Sequence, residues 1–79
     1  MTRAEIIGQA KEVLSEEFEV GQELMADDAA LREVLALNSL TLVDLVAVVE
    51  HTFRVRIPIA EVPSIKTFAQ LYDYIEQHI

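Results

Sequence analysis

Ser39 is the residue whose type and setting most invite chemistry. It lies in Leu37-Asn38-Ser39-Leu40-Thr41-Leu42-Val43-Asp44-Leu45, a polar step followed by a largely apolar run that reaches Val49. Two readings are open. Asn38 and Ser39 are both strong helix caps, whose side-chain oxygens accept the amides that a first turn leaves unpaired. Alternatively Asn38 caps and leaves Ser39 free. A phosphoester on Ser39 would then lie near the positive end of the helix dipole.

A serine nucleophile needs a base within hydrogen-bond reach and a third group to orient that base. The only histidines are His51 and His78. His51 is twelve residues further along the expected helix, roughly 18 Å away at about 1.5 Å per residue. His78 is at the fraying end of the chain, and no glycine-rich turn surrounds Ser39. Ser39 is therefore a residue for another protein to act on, and no catalytic residue is assigned. Asp27-Asp28 and Glu16-Glu17 pair carboxylates without the spacing of a calcium loop, so no metal site is assigned and a solvated acidic surface is expected. Gly8 and Gly21 are too isolated to cradle a phosphate.

The 79 residues suit one small domain, which buries too little surface for a deep, enclosed active site. Hydrophobic residues make up 52% of the chain, enough for a packed core. A formal charge of −8 disfavours nucleic acid and anionic membranes and favours partners with basic patches. With no cysteine, disulfides, thiolate metal sites and a thiol nucleophile are excluded. The start of the sequence lacks the apolar core of a signal peptide, and no run is long enough to span a membrane. A soluble, cytoplasmic protein is expected.

Helix formers must position Ser39. Thr2 and Glu5 have capping-box spacing, and Ile6, Ile7, Ala10, Val13 and Leu14 form an apolar face that fades between Ser15 and Phe18. Gly21 marks a turn. The long connection from Glu19 to Asn38 carries apolar anchors, including Leu24, Met25, Leu31 and Leu35, and a helical turn capped by Asp27 or Asp28. A second helix from Ser39 or Leu40 to Phe53 places Leu42, Leu45, Val46, Val49 and Phe53 on a core face. Leu40, Val43 and Ala47 fall on another side, flanked by Asp44, Glu50 and His51, which suits a partner surface. Pro58 to Val62 reads as a short helix stopped by Pro63. A last helix starts between Ser64 and Thr67, with Phe68, Leu71, Tyr72 and Ile75 as its stripe behind Ile65.

This pattern resembles the acyl carrier proteins, small acidic four-helix bundles with Asp-Ser-Leu at the start of the second helix. Asn38-Ser39-Leu40 stands at the matching place. The flanks Leu31 to Leu37, Val43-Asp44-Leu45-Val46, Glu50-His51-Thr52-Phe53 and Ile57-Pro58 also match, as does the ending Thr67 to Ile75. The resemblance implies an all-α, four-helix acyl-carrier-like bundle over residues 1–79, with three longer helices, a short third helix and a long first loop. It implies that a separate, magnesium-using phosphopantetheinyl transferase moves 4′-phosphopantetheine from coenzyme A onto Ser39. The arm's thiol would hold acyl groups as thioesters, in fatty-acid, polyketide or a related pathway. Leu40, Val43, Asp44, Ala47 and Glu50 would dock basic patches on ketosynthase, acyltransferase or acyl ligase enzymes, with the carrier a monomer. Leu45, Val49, Ile57, Ile59, Val62 and Ile65 would line a path for the acyl chain, although core packing explains them equally.

Two features depart from the family. Asn38 replaces the aspartate, keeping the cap but losing a charge. Thr41, His51 and Thr52 stand where acids are common, with Arg54 behind them, which weakens steering toward generic basic partners and points to a dedicated pathway. Two other carrier-fold readings stay open: a peptidyl or aminoacyl carrier, and an unmodified helical interaction module. A small hydrolase using Ser39 lacks its base.

Overall fold

The computed structural model describes residues 1–79. Its elements in order are α1 (Arg3–Phe18), a 3-10 turn (Gln22–Leu24), α2 (Leu31–Val34), α3 (Thr41–Phe53), a 3-10 segment (Ile59–Ser64) and α4 (Phe68–His78). The three long helices enclose one apolar core, in which α1 packs against both α3 and α4. The architecture is the expected all-α bundle.

The capping signals in the sequence govern where α1 and α4 begin. Thr2 Oγ1 accepts the Glu5 amide at 3.2 Å, and Glu5 Oε1 accepts the Thr2 amide at 2.8 Å. Thr67 and Gln70 form the same reciprocal pair ahead of α4. Each box satisfies two amides that helix geometry leaves unpaired. The expected stripe of α4 is fully buried: Phe68, Leu71, Tyr72 and Ile75 meet Ile6, Ala10 and Leu14 of α1 in the core.

Several boundaries differ from expectation. α1 ends at Phe18, within the expected range, but it is reversed by Glu19, whose φ of 54° is left-handed, whereas Gly21 has ordinary backbone and merely precedes the 3-10 turn. Ser15 fixes this exit: its carbonyl accepts the Val20 amide and its hydroxyl donates to the Val20 carbonyl at 2.6 Å. Neither Asp27 nor Asp28 caps α2, because Ala30 occupies the cap position without a side-chain bond. The helical turn starts later than expected because the backbone before it is committed elsewhere. Asp27 and Ala29 carbonyls accept the Ala69 and Phe68 amides, and the Leu31 amide donates to the Lys66 carbonyl. Pro63 lies inside the third segment rather than ending it, and the segment is a 3-10 helix that runs on to Ser64. A proline removes one donor, so the tighter, short 3-10 form accommodates it more readily than a regular α-helix would. Tyr74 of α4 donates to Glu61 Oε2 at 2.9 Å and ties this segment down.

The loop before Ser39 is thus anchored at both ends. Met25, Leu31 and Leu35 are buried in the core, and an isolated bridge pairs Ala30 with Thr67. Leu24, expected among the anchors, is exposed.

Candidate functional site

The approach to Ser39 is set by how α2 ends. Ala36 takes a left-handed φ of 51°. Its amide donates to the Glu33 carbonyl at 3.3 Å, and the Leu37 amide donates to the Arg32 carbonyl at 2.9 Å. These two bonds are those of a Schellman motif, which satisfies the last carbonyls of a helix while turning the chain sharply. The turn delivers Asn38 to the start of α3.

Asn38 is the cap of α3. Regular helix begins at Thr41, but the first helical bond already reaches back, from the Leu42 amide to the Asn38 carbonyl at 2.8 Å. Asn38 Oδ1 accepts the amides of Leu40 at 2.8 Å and Thr41 at 3.0 Å. In return the Asn38 amide donates to Thr41 Oγ1 at 2.8 Å. The pair acts as a capping box with threonine in the usual place of Glu or Gln.

Ser39 is left over from this arrangement. It is exposed, it occupies the first position of the turn, and its hydroxyl takes no part in the capping bonds. Of the two readings open from sequence, capping falls to Asn38. A phosphate ester on this hydroxyl would sit in solvent, where the dipole of α3 favours an anion.

The neighbouring residues sort into an outer face and a core. Leu40 is 79% exposed and Val43 51% exposed, and Asp44, Ala47 and Glu50 are exposed as well. Leu45 and Val49 point the other way and are buried with Ile57, Val62 and Ile65. Ile59, grouped with these five by position, is 54% exposed and lies outside the core. The remaining five close on one another in the core cluster. The cavity the structure does show, about 420 Å³, lies instead between α1 and α3 and is lined in part by Val13, Glu16, Asp44 and Val48. No periodicity in the sequence reveals this groove, because it joins the outer edges of two helices distant along the chain.

The histidines stand apart from Ser39. His51 is exposed in the last turn of α3. The ring of His78 stacks on Tyr74 at 4.1 Å between centroids, and its Nδ1 lies 2.8 Å from the Tyr74 carbonyl. No group of three or more His, Cys, Asp or Glu side chains is placed to hold a metal ion. No helix is long and apolar enough to cross a membrane.

Comparison with known proteins shows the family. Residues 9–75 match the family model described as a phosphopantetheine attachment site. An acyl carrier protein of Thermotoga maritima is 33% identical over 78 residues, covering 99% of this chain and 96% of the relative. One from Rubrobacter xylanophilus is 32% identical with the same coverage. The chain belongs to the acyl carrier protein family. A third member, from Saccharopolyspora erythraea, is 32% identical across 92% of this chain and 77% of its own length. The cofactor of such a carrier is covalently attached 4′-phosphopantetheine. The start of α3 fits that group: it offers an exposed hydroxyl that no capping bond uses, at the helix end that favours a phosphate. When attached, the arm supplies the thiol that this cysteine-free chain lacks.

Proposed function

We propose that this carrier holds acyl intermediates as thioesters on a 4′-phosphopantetheine arm attached at Ser39, and that it serves a dedicated acyl pathway. The observation that carries the assignment is the division of labour at the start of α3. Asn38 and Thr41 complete the cap between themselves, so modifying Ser39 costs the helix nothing. In the attachment step a bond forms between Ser39 Oγ and the phosphorus next to the pantetheine while the pyrophosphate link of coenzyme A breaks, and adenosine 3′,5′-bisphosphate leaves. The serine proton goes to a base of the transferase, since no histidine of this chain is placed to take it. The carrier is on this reading a substrate of its enzymes and not itself a catalyst. It works in the cytoplasm as a monomer.

Exposed Leu40 and Val43 supply apolar contact for the transferase and acyl-processing enzymes, and Asp44 and Glu50 supply charge to meet basic patches. Ala47 leaves room between them. Thr41, His51, Thr52 and Arg54 dilute the negative field along α3, which favours partners matched to this carrier over those of bulk fatty-acid synthesis. An acyl chain that folds back along Leu45, Val49, Ile57, Val62 and Ile65 would have to part a closed core, with Ile59 at its outer edge.

Incubation with coenzyme A, magnesium and a broad-specificity transferase tests the assignment by intact mass. The protein should gain one phosphopantetheine, and Ser39→Ala should gain none. A gain that survives Ser39→Ala overturns the site. No gain with several transferases, reversed by Asn38→Asp, would favour an unmodified interaction module, the reading that the uncharged Asn38 supports.

A further inference from the structure

Among the lysines and arginines of this acidic chain, only Arg54 and Arg56 stand close together in the sequence. They lie between α3 and the 3-10 segment, where the chain forms neither helix nor ladder. Burial alternates there: Val55 and Ile57 are in the core, and Arg54, Arg56 and Pro58 are exposed. A period of two is that of extended chain, and Pro58 keeps Ile57 out of helical backbone. Both guanidinium groups therefore leave the same face, on Cα atoms roughly 7 Å apart at about 3.3 Å per residue.

Neither arginine has an ionic partner in the chain. Both ion pairs of the structure belong to Arg3, and Glu50, one turn before Arg54, pairs with neither arginine. Attraction to the negative end of α3 explains a cation at Arg54, which caps that helix, but not a second one at Arg56. Arg54 also has left-handed backbone, with φ of 60°, where glycine is the usual residue. The chain keeps a guanidinium there against its backbone preference.

The backbone beside these side chains is unpaired too. The Arg54 amide closes the last turn of α3 on the Glu50 carbonyl at 2.9 Å, and the Pro58 carbonyl accepts the Glu61 amide at 2.9 Å. Between these two bonds, the amides and carbonyls of Val55, Arg56 and Ile57 make no bond to the backbone of the chain. A run of unpaired donors and acceptors in extended chain is a template for another strand.

We propose that residues 54–57 receive an extended acidic segment of a partner protein. The segment pairs its backbone with Val55, Arg56 and Ile57 and sets alternate carboxylates against Arg54 and Arg56. Main-chain bonds supply the affinity in strand addition, and opposite charges across the paired strands supply the selection. The net charge of −8 repels such a segment at long range. At physiological salt that repulsion is screened beyond about 8 Å, so at contact the sign of the strip decides. Arg54 caps the end of α3 opposite Ser39, and the thirteen residues of that helix span about 20 Å. A partner held at Arg54 thus leaves the serine hydroxyl open. The inference goes beyond the carrier reading and does not rest on it.

The test is an NMR titration of the isotope-labelled, full-length protein, at physiological salt, with a synthetic peptide of alternating glutamate and valine. A control peptide has glutamine for glutamate. Amide shifts should concentrate at Val55, Arg56 and Ile57, and hydrogen exchange of these three amides should slow as the peptide saturates. Affinity should fall about tenfold in Arg54→Gln/Arg56→Gln, with the circular dichroism of the parent retained. The charge-matched control Lys11→Gln/Arg32→Gln should bind as the parent does. Absence of binding, shifts centred elsewhere on the chain, equal affinity in the two double variants, or equal binding of the glutamine peptide would overturn the proposal. Binding that leaves exchange of the three amides unchanged would overturn it as well, because the backbone would then be unpaired. Phosphopantetheine loading of the same samples, read by mass, tests the carrier reading separately: binding without loading keeps this proposal and removes that reading, and loading without binding does the reverse.

Discussion

Asn38 and Thr41 cap each other. The threonine amide donates to Asn38 Oδ1 at 3.0 Å, and the asparagine amide donates to Thr41 Oγ1 at 2.8 Å. Asn38 is thereby the residue on which the start of α3 depends, and its serine neighbour is structurally dispensable. Asn38→Ala should cost about 1 kcal/mol, the usual loss for removing a capping side chain. Ser39→Ala should stay within about 0.5 kcal/mol of the parent, as exposed substitutions do. Urea denaturation of both variants reads the difference, and equal losses would show that Ser39 shares the cap. Asn38→Asp should be at least as stable as the parent at neutral pH, since a carboxylate accepts the same amides and also favours the helix dipole. That advantage should fade on acidification as the new carboxylate protonates.

Tyr72 presents the opposite situation, a polar group with no partner. Its side chain is fully buried and its hydroxyl has no hydrogen bond. Burial, followed by the nearby charge of Asp27, pushes its pKa up to about 12. An unpaired buried hydroxyl carries a desolvation cost of about 1–3 kcal/mol, so Tyr72→Phe should stabilise the protein by about 1 kcal/mol. The pH dependence has a definite sign. A folded-state pKa raised above the ordinary tyrosine value of about 10 leaves stability intact below that value and erodes it as pH rises toward about 12. Alkaline melting curves should therefore fall more steeply for the parent than for Tyr72→Phe. Parallel curves would mean that the hydroxyl finds a partner in solution.

Glu5 titrates with the opposite sign. The Thr2 amide, bonded to its carboxylate, holds its pKa below the usual glutamate range. A depressed pKa contributes stability above the unfolded-state value and loses it as pH falls through the folded-state value. Glu5→Gln keeps an acceptor for the capping box but cannot titrate. Acidification through the carboxylate range should thus narrow the difference in melting temperature between parent and Glu5→Gln. A difference that stays constant with pH would show the capping carboxylate to be uncoupled from folding.

How much of this could be read from the residues follows from the range of each interaction. Thr2 with Glu5 and Thr67 with Gln70 act across three positions, so their spacing was enough to place two helix starts. The stripe Phe68, Leu71, Tyr72 and Ile75 was equally legible, because one periodicity fixes one face. Asn38 as cap and Ser39 as the free hydroxyl was one of two readings, and only the hydrogen bonds decide between them. The failures involve contacts distant in sequence. Asp27 looked like a cap, but its backbone is engaged by Ala69, forty-two positions away. Ile59 was grouped with core residues, yet the twist of the 3-10 segment turns it outward. The groove between Glu16 and Asp44 depends on how two helices pack, which no local pattern encodes.

The glycines and the left-handed residues of this chain occupy each other's places. Glu19, Ala36 and Arg54 adopt positive φ, while neither glycine does. A side chain in that conformation costs about 1–2 kcal/mol, partly offset when glycine replaces it because the unfolded chain becomes freer. Ala36→Gly should therefore stabilise by about 0.5 kcal/mol and leave the Schellman turn before Asn38 intact. Gly8 is the converse case. It lies exposed inside α1, and a methyl group added there would meet nothing within 4 Å. Alanine in place of glycine within a helix is worth about 1 kcal/mol, so Gly8→Ala should raise stability by that amount. Gly21→Ala is a weaker gain, because the new methyl would first have to displace the exposed Glu23 carboxylate. Urea denaturation of the three variants orders them as Gly8→Ala, then Ala36→Gly, then Gly21→Ala. A destabilised Gly8→Ala would mean that the outer face of α1 at that position packs against something in solution.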